Sequence, residues 1–252
     1  MRLLTLPLLV SAALSLNLQA APLNDTGLDQ CANGAVLEAC SEANTGDGTT
    51  QPGQDGRFGR DAQAGLAQLT KTGGGDAGFD FTPLDASGNA IAVDGSGLPE
   101  APPACVLDNT TNLIWEVKIN GGGFLRTVTH RYTWYNGAEG APDGTDNCFN
   151  TTRCDTQKFV EDVNAEGLCG YNSGWRLPTR REMLSLLHYG QSAPPAIDTG
   201  YFTGSIPQFY WVSEINALDP ANEAWTVEFG FGDSGTQAFT EPFSVRVVRD
   251  AP

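Results

Sequence analysis

The aromatic residues of this chain are concentrated in its second half. Of the 5 Trp, 6 Tyr and 12 Phe, only Phe58, Phe79 and Phe81 precede Cys105. Because aromatic side chains supply much of the area that a core buries, residues 105–252 are predicted to form the packed domain. Residues 21–98 form a Gly-rich, acidic N-terminal extension. The Pro-rich segment 99–104 is predicted to be a linker, since proline cannot continue a helix or a central strand.

The first residues have the pattern of an export signal. Arg2 precedes an apolar run from Leu3 to Leu16, and small residues follow at Ala20 and Ala21. This predicts a signal peptide over residues 1–20. The run is shorter than the roughly 20 apolar residues that a membrane-spanning helix needs, so no membrane span is expected. The protein is therefore expected to be secreted, periplasmic or at the cell surface.

Six cysteines fit such an oxidising compartment, where paired thiols persist. The count alone permits about 15 pairings. Spacing favours three disulfides, which are Cys31 with Cys40, Cys105 with Cys169, and Cys148 with Cys154. A zinc site is not expected, because the paired CxxC motif of such sites is absent.

The charge balance excludes one class of partner. The chain has 14 Lys and Arg against 30 Asp and Glu, and its net charge is −16. A nucleic-acid-binding protein needs a basic face to displace the counterions of the phosphate backbone. Nucleic acid is therefore not an expected partner.

Hydrophobic periodicity predicts an α+β domain. One helix should begin at Asp155 and end at Gly167, and a second should begin at Thr179, where Thr179 and Glu182 form a capping box, and end at Gly190. Short apolar and aromatic runs predict five strands in the domain, of which the last two alternate between apolar and polar residues, and a hairpin is predicted at residues 78–93 of the extension. The strands are Leu113–Val117, Arg131–Tyr135, Phe209–Val212, Ala224–Phe229 and Ser244–Val248. The expected fold has two helices and a twisted, mainly antiparallel sheet, preceded by a small disulfide-containing β extension.

Several short motifs occur in a distinctive order between Cys105 and Arg249. They include Leu113-Ile114-Trp115-Glu116, Gly167-Leu168-Cys169-Gly170, Trp175-Arg176-Leu177-Pro178-Thr179, Tyr210-Trp211-Val212-Ser213 and Val245-Arg246-Val247-Val248-Arg249. Together they resemble the Lcl C-terminal domain family, a bacterial family first catalogued as a domain of unknown function. The resemblance implies a C-type-lectin-like fold.

The resemblance also raises the question of sulfated glycans, because one family relative is an adhesin that binds sulfated glycosaminoglycans. Residues 105–252 contain 18 acidic and 10 basic residues. This excess of negative charge disfavours a polyanionic ligand. Heparin binding would require a local cluster, for which Arg176, Arg180, Arg181 and Arg249 are the candidates.

The candidate binding residues are Asp219, Asn222, Glu223 and Trp225. Lectins of this fold hold calcium with a short acidic and amide loop followed by a Trp, and Asp219-Pro220-Ala221-Asn222-Glu223 is the nearest stretch here. Its sequence differs from the calcium motif, so no metal is expected. Trp115, Trp134, Trp211 and Trp225 lie within or beside predicted strands, which favours a core position for each.

No catalytic motif accompanies the two histidines, His130 and His188. A packing or surface role is expected for both, and neither catalysis nor a cofactor is predicted. The chain is expected to be an exported, non-enzymatic recognition or adhesion protein that binds a glycan or a protein partner at the bacterial envelope. The alternative is a structural or assembly subunit of a surface organelle with no soluble ligand.

Overall fold

A computed structural model describes residues 24–28, 30–33, 36–39, 56, 59–65, 67–144 and 147–252. The predicted signal peptide and Cys40 lie outside the described residues. Within them, none of the helices has the length and apolar character needed to cross a bilayer.

The fold combines nine strands with three short α-helices among the described residues. In chain order the elements are β1 (Gln30–Asn33), β2 (Val36–Ala39), α1 (Arg60–Gly65), β3 (Phe81–Leu84), β4 (Cys105–Asp108), β5 (Leu113–Glu116), α2 (Thr156–Glu166), α3 (Arg180–Leu184), β6 (Phe209–Ile215), β7 (Glu223–Glu228), β8 (Asp233–Ala238) and β9 (Val248–Asp250). The strands form an antiparallel β1-β2 pair and two larger sheets, with strand orders β3-β4-β5-β9 and β6-β7-β8. The predicted α+β class is confirmed.

Residues on both sides of the predicted linker 99–104 share one sheet. β3 comes from the extension and pairs antiparallel with β4, with Phe81 opposite Asp108 and Leu84 opposite Cys105. Phe79 and Phe81 are buried in the same core cluster as Trp115. The last part of the extension therefore contributes a strand and two aromatic side chains to the domain. The predicted hairpin is present, since Leu84 bridges Ala90.

Both helices of the domain begin at the predicted caps. The Asp155 side chain accepts the N–H of Lys158 at the start of α2, and Gly167 ends the helix in the left-handed conformation. At α3 the Thr179 hydroxyl accepts the N–H of Glu182 while the Glu182 carboxylate accepts the N–H of Thr179. α3 ends at Leu184, well before the predicted Gly190. After Leu184 the turn tightens, because the N–H groups of Leu186 and Leu187 bond three residues back to the carbonyls of Met183 and Leu184. The N–H of His188 then bonds to the Ala196 carbonyl, which takes the chain out of the helical path.

One predicted strand is absent and another is shorter than expected. Arg131–Tyr135 forms only isolated bridges, in which Tyr132, Thr133 and Tyr135 each pair with a different segment. Of Ser244–Val248, only Val248 belongs to β9. β8 was not predicted, because its sequence Asp-Ser-Gly-Thr-Gln-Ala lacks apolar alternation.

Two buried clusters form the core, one containing Trp115, Met183 and Val227 and the other containing Trp134, Phe159 and Trp211. Trp115, Trp134 and Trp211 are fully buried, which confirms their predicted core positions. Trp225 is half-buried and packs against the first cluster.

Two disulfides lie within the second cluster. Cys105 in β4 is bonded to Cys169, and Cys148 is bonded to Cys154, as predicted. Cys31 is also disulfide-bonded, but its predicted partner Cys40 lies outside the described residues. None of the described cysteines is a free thiol.

The capping box gives a first testable expectation. Thr179→Ala removes the hydroxyl that accepts the Glu182 N–H, and we expect it to lower the free energy of unfolding by about 1 kcal/mol. Denaturant unfolding of the variant would measure this loss. The control is Thr240→Ala, because Thr240 is exposed and its hydroxyl makes no hydrogen bond within the described residues. Equal stability of the two variants would contradict a capping role.

Candidate functional site

The predicted binding residues lie at one end of the three-stranded sheet, but three of them bond to their neighbours. In the loop between β6 and β7, the Asn222 amide donates to the Asp219 carboxylate at 2.8 Å. The Glu223 carboxylate accepts from the Asn216 amide, also at 2.8 Å. In the part of the chain that the structure describes, no group of three or more His, Cys, Asp and Glu residues is placed to hold a metal ion.

Trp225 follows on β7, on the same face as Glu223. One face of its ring is covered by the Arg180 guanidinium, whose central carbon lies 4.0 Å from the ring centroid. The Arg180 backbone N–H donates to the Glu214 carboxylate on β6, which fixes the start of α3 against the sheet. The ring face that would stack on a sugar is therefore occupied by a cation–π contact.

The structure shows a different concave surface that sequence reasoning missed. It is an open cleft of about 360 Å³ between residues 134–136, the first turn of α2, the Arg176–Thr179 segment and Ser213 on β6. We call it the α2 cleft. Its apolar lining comes from Trp134, Tyr135, Val160 and Leu177.

The floor of the α2 cleft is held rigidly. Trp134 is fully buried, its indole N–H donates to the Val212 carbonyl at 2.8 Å, and its ring stacks on Phe239 with 4.8 Å between centroids. The Thr156 hydroxyl accepts the Tyr135 N–H at 2.9 Å and donates to the Tyr135 carbonyl at 2.7 Å. These bonds fix the backbone of Tyr135 against the start of α2.

The rim of the α2 cleft carries neutral polar groups. Asn136, Gln157, Thr179 and Ser213 contribute amides and hydroxyls. Within the described residues, the Tyr135 hydroxyl and the Asn136 Nδ2 group make no hydrogen bond. The Asn136 side-chain oxygen Oδ1 accepts the N–H groups of Ala138 and Glu139, so the Nδ2 donor of the same amide faces away from this turn. Donors at the rim are thus available to a ligand.

The cation of the cleft is already neutralised. Both terminal nitrogens of Arg176 donate to the Glu182 carboxylate at 2.8 Å, and one also approaches Asp250 at 3.3 Å. The hydrogen bonds with Glu182 raise the pKa of Arg176. The α2 cleft therefore presents a neutral surface, with hydroxyl and amide groups beside the half-buried side chains of Tyr135, Val160 and Leu177.

Comparison with known proteins places this region in a family. The family model of the Lcl C-terminal domain matches residues 104–249. The chain belongs to the Lcl C-terminal domain family. The matched residues include β4 to β8, both helices of the domain, the α2 cleft and all four predicted site residues. No curated protein and no solved structure matches the chain.

Most of the arginines that could form a heparin site of the Lcl C-terminal domain have partners. Arg176 is paired with Glu182, Arg180 covers Trp225, and the Arg249 guanidinium lies 3.6 Å from the centre of the Tyr171 ring. Arg181 is exposed. Three of the four candidates are thus engaged with acidic or aromatic side chains of the same chain.

The histidines lie away from the α2 cleft. His188 is buried, its Nε2 lies 3.0 Å from the Asp76 carboxylate, and its ring packs on Phe79. Gly27 packs directly on the same ring, since a Cβ at this position would lie 2.0 Å from the imidazole. His188 therefore joins the Lcl C-terminal domain to the segment before it, which is a packing role. The ring of His130 is half-buried beside Phe149.

Proposed function

We propose that this protein is an exported, non-enzymatic recognition protein whose Lcl C-terminal domain binds a neutral glycan in the α2 cleft. The observation that carries the proposal is the combination of an apolar surface, formed by the half-buried Tyr135, Val160 and Leu177, with a rim of amides and hydroxyls and a paired cation. The apolar face of a sugar ring packs on aromatic surface, and its hydroxyl groups need donors and acceptors.

The size of the cleft supports a small ligand. Its volume of about 360 Å³ is at the lower end of the range for small-molecule sites, roughly 300–1,000 Å³. A monosaccharide, or the terminal sugars of a longer chain, fits this volume better than a folded protein surface. The excess of acidic residues in the domain further favours a ligand without negative charge.

The proposal extends to fold and location. Two helices, antiparallel sheets and buried disulfides support a C-type-lectin-like arrangement of the domain. Paired cysteines support an oxidising compartment, so the protein would act in the periplasm, at the cell surface or outside the cell. A glycan of the bacterial envelope or of a surface to which the bacterium adheres is the expected ligand.

A glycan array probed with the mature chain at physiological salt tests this function. We expect binding to neutral glycans and weak retention on immobilised heparin. Tyr135→Ala should weaken glycan binding roughly tenfold, because it removes one stacking surface worth about 1.4 kcal/mol. Asn136→Ala should weaken it as well.

Two control variants locate the site. Tyr189 is an exposed tyrosine outside the cleft, so Tyr189→Ala should leave binding unchanged. Trp225→Ala tests the site predicted from sequence, and loss of binding in this variant but not in Tyr135→Ala would place the ligand on β7 instead. Retention on heparin at physiological salt with no neutral glycan bound would overturn the proposal.

A further inference from the structure

The outer edge of β8 has no backbone partner among the described residues. The other three outer edges of the two larger sheets are covered, because Phe81 of β3 bridges Gly74, Val248 of β9 bridges Arg176, and Tyr210 of β6 bridges Ser244. Apart from the pairing with β7, no backbone hydrogen bond involves residues 233–237. β8 therefore presents an open row of donors and acceptors.

The alternation of backbone hydrogen bonds between β7 and β8 shows which N–H and C=O groups of β8 are left without a partner there. The Phe239 N–H donates to the Asn222 carbonyl, and the Gly235 carbonyl accepts from the Thr226 hydroxyl, so the odd-numbered residues of β8 face β7. In an antiparallel pair, the N–H and C=O groups of the residues between these positions point away from the partner strand. The N–H and C=O groups of Ser234 and Thr236 consequently point outward.

β8 also lacks the devices that protect exposed edges. Natural edge strands carry lysines, prolines or bulges that prevent pairing with another chain. β8 contains no lysine and no proline, and its register with β7 runs without a shift from Asp233 to Ala238. By contrast, the covered strand β6 has an irregular register between Trp211 and Ile215.

We propose that β8 pairs antiparallel with β8 of a second copy, so that the two three-stranded sheets join into one. In such a pair the outward N–H and C=O groups of the two strands must face each other. The symmetric register that has Gly235 at its centre meets this condition. Ser234 of each copy then exchanges two hydrogen bonds with Thr236 of the other, and the two Gly235 residues lie opposite each other. A Cβ at Gly235 would meet no atom within 4 Å, so the space over the sheet face at the centre of this pairing is open.

The side chains of β8 favour a second copy as the occupant, because the symmetric register brings no like charges of the two strands together. The only charged residue of β8 is Asp233, which this register places opposite the neutral amide donor of Gln237 in the second copy. No two carboxylates of the strands face each other, although the chain carries a net charge of −16. The remaining repulsion is long-range and is screened by salt. Association should therefore strengthen as the salt concentration rises.

Cross-linking tests the register directly. The two Gly235 residues form a pair without hydrogen bonds, with Cα atoms about 4.5 Å apart, which is within the range of a disulfide. Gly235→Cys should therefore give at least about tenfold more covalent dimer under mild oxidation than a control cysteine elsewhere. Gly123→Cys is the matched control, because Gly123 is equally open and also lacks a positive φ.

Sedimentation of the wild-type chain provides the second measurement. We expect a dimer whose fraction rises with protein concentration and with salt, and Ser234→Lys should reduce it by adding like charges to the facing strands. Equal cross-linking of the two cysteine variants would overturn the proposal. A wild-type chain that stays monomeric at every concentration would also overturn it, even if a foreign peptide paired with β8. Glycan binding does not enter these measurements, so this inference and the proposed function can fail separately.

Discussion

Replacing both Cys105 and Cys169 by alanine is expected to lower the free energy of unfolding by about 4 kcal/mol. The two residues are 64 positions apart, so the disulfide removes a large amount of chain entropy from the unfolded state. Both side chains are buried, and the bond ties β4 to the turn that follows α2. Loss of two buried sulfur atoms adds a small packing defect to the entropic loss.

The second disulfide provides a matched control. Cys148 and Cys154 are only 6 positions apart. Because a shorter loop removes less chain entropy from the unfolded state, replacing both by alanine should lower the free energy of unfolding by only about 2 kcal/mol. Denaturant unfolding of both double-alanine variants, followed by far-UV circular dichroism, would measure the two losses. A loss for the short loop equal to or larger than that for the long loop would show that chain entropy does not dominate here.

Features with local causes could be predicted from the sequence. The caps of α2 and α3 depend on residues within one turn of the helix start, and Asp155, Thr179 and Glu182 occupy these positions. Strands β5 and β7 were predicted because aromatic and β-branched side chains fill them. Their sequence preference agrees with their final environment.

Features with non-local causes could not be predicted. β8 forms because its backbone pairs with all six residues of β7, and its own side chains contribute little apolar area. Residues 131–135 have strand-like composition, yet their backbone bonds go to three separate segments. Sequence periodicity reports the burial of side chains but not the identity of the backbone partner.

The α2 cleft illustrates the same limit for the candidate site. Its walls come from residues 134–136, 156–160, 176–179 and Ser213, which are brought together only by the fold. Trp134-Tyr135 followed by Asn136-Gly137 was the available local signal, an aromatic pair before a turn. The sequence context of Trp225 predicts a binding residue, but it does not show that Arg180 covers the ring.

A buried ion pair at the end of β5 was also not visible from the sequence. Glu116 and Lys118 are almost fully buried, with 2.7 Å between the Glu116 Oε1 and the Lys118 ammonium. Glu116 Oε2 accepts the Val247 N–H, and the ammonium lies 4.4 Å from the centre of the Phe159 ring. Burial lowers the pKa of Lys118 from 10.5 to about 8, while Glu116 acts in the opposite direction. Lys118 is thus charged at neutral pH and depends on one carboxylate.

Glu116→Gln should lower the free energy of unfolding by about 3–5 kcal/mol at about pH 6, because it leaves a buried ammonium without its counterion. The control is Glu161→Gln, which breaks the pair between Glu161 and Arg153. These side chains are 51% and 30% exposed, so the expected loss is about 0–1 kcal/mol. Denaturant unfolding of both variants would give the comparison.

The loss of unfolding free energy caused by Glu116→Gln should become smaller as the pH rises. Without the carboxylate, the pKa of Lys118 falls below its wild-type value of about 8, so the folded variant releases this proton at lower pH than the folded wild type. Over that interval the unfolded chains hold the same proton, and the stability of the variant rises with pH relative to the wild type. The difference in unfolding free energy between the wild type and Glu116→Gln should therefore narrow between about pH 6 and pH 9. The corresponding difference for Glu161→Gln should stay constant over this range. A difference for Glu116→Gln that is constant or widens over this range would show that Lys118 keeps its proton without Glu116, and that the carboxylate stabilises the fold through its bond to Val247 instead.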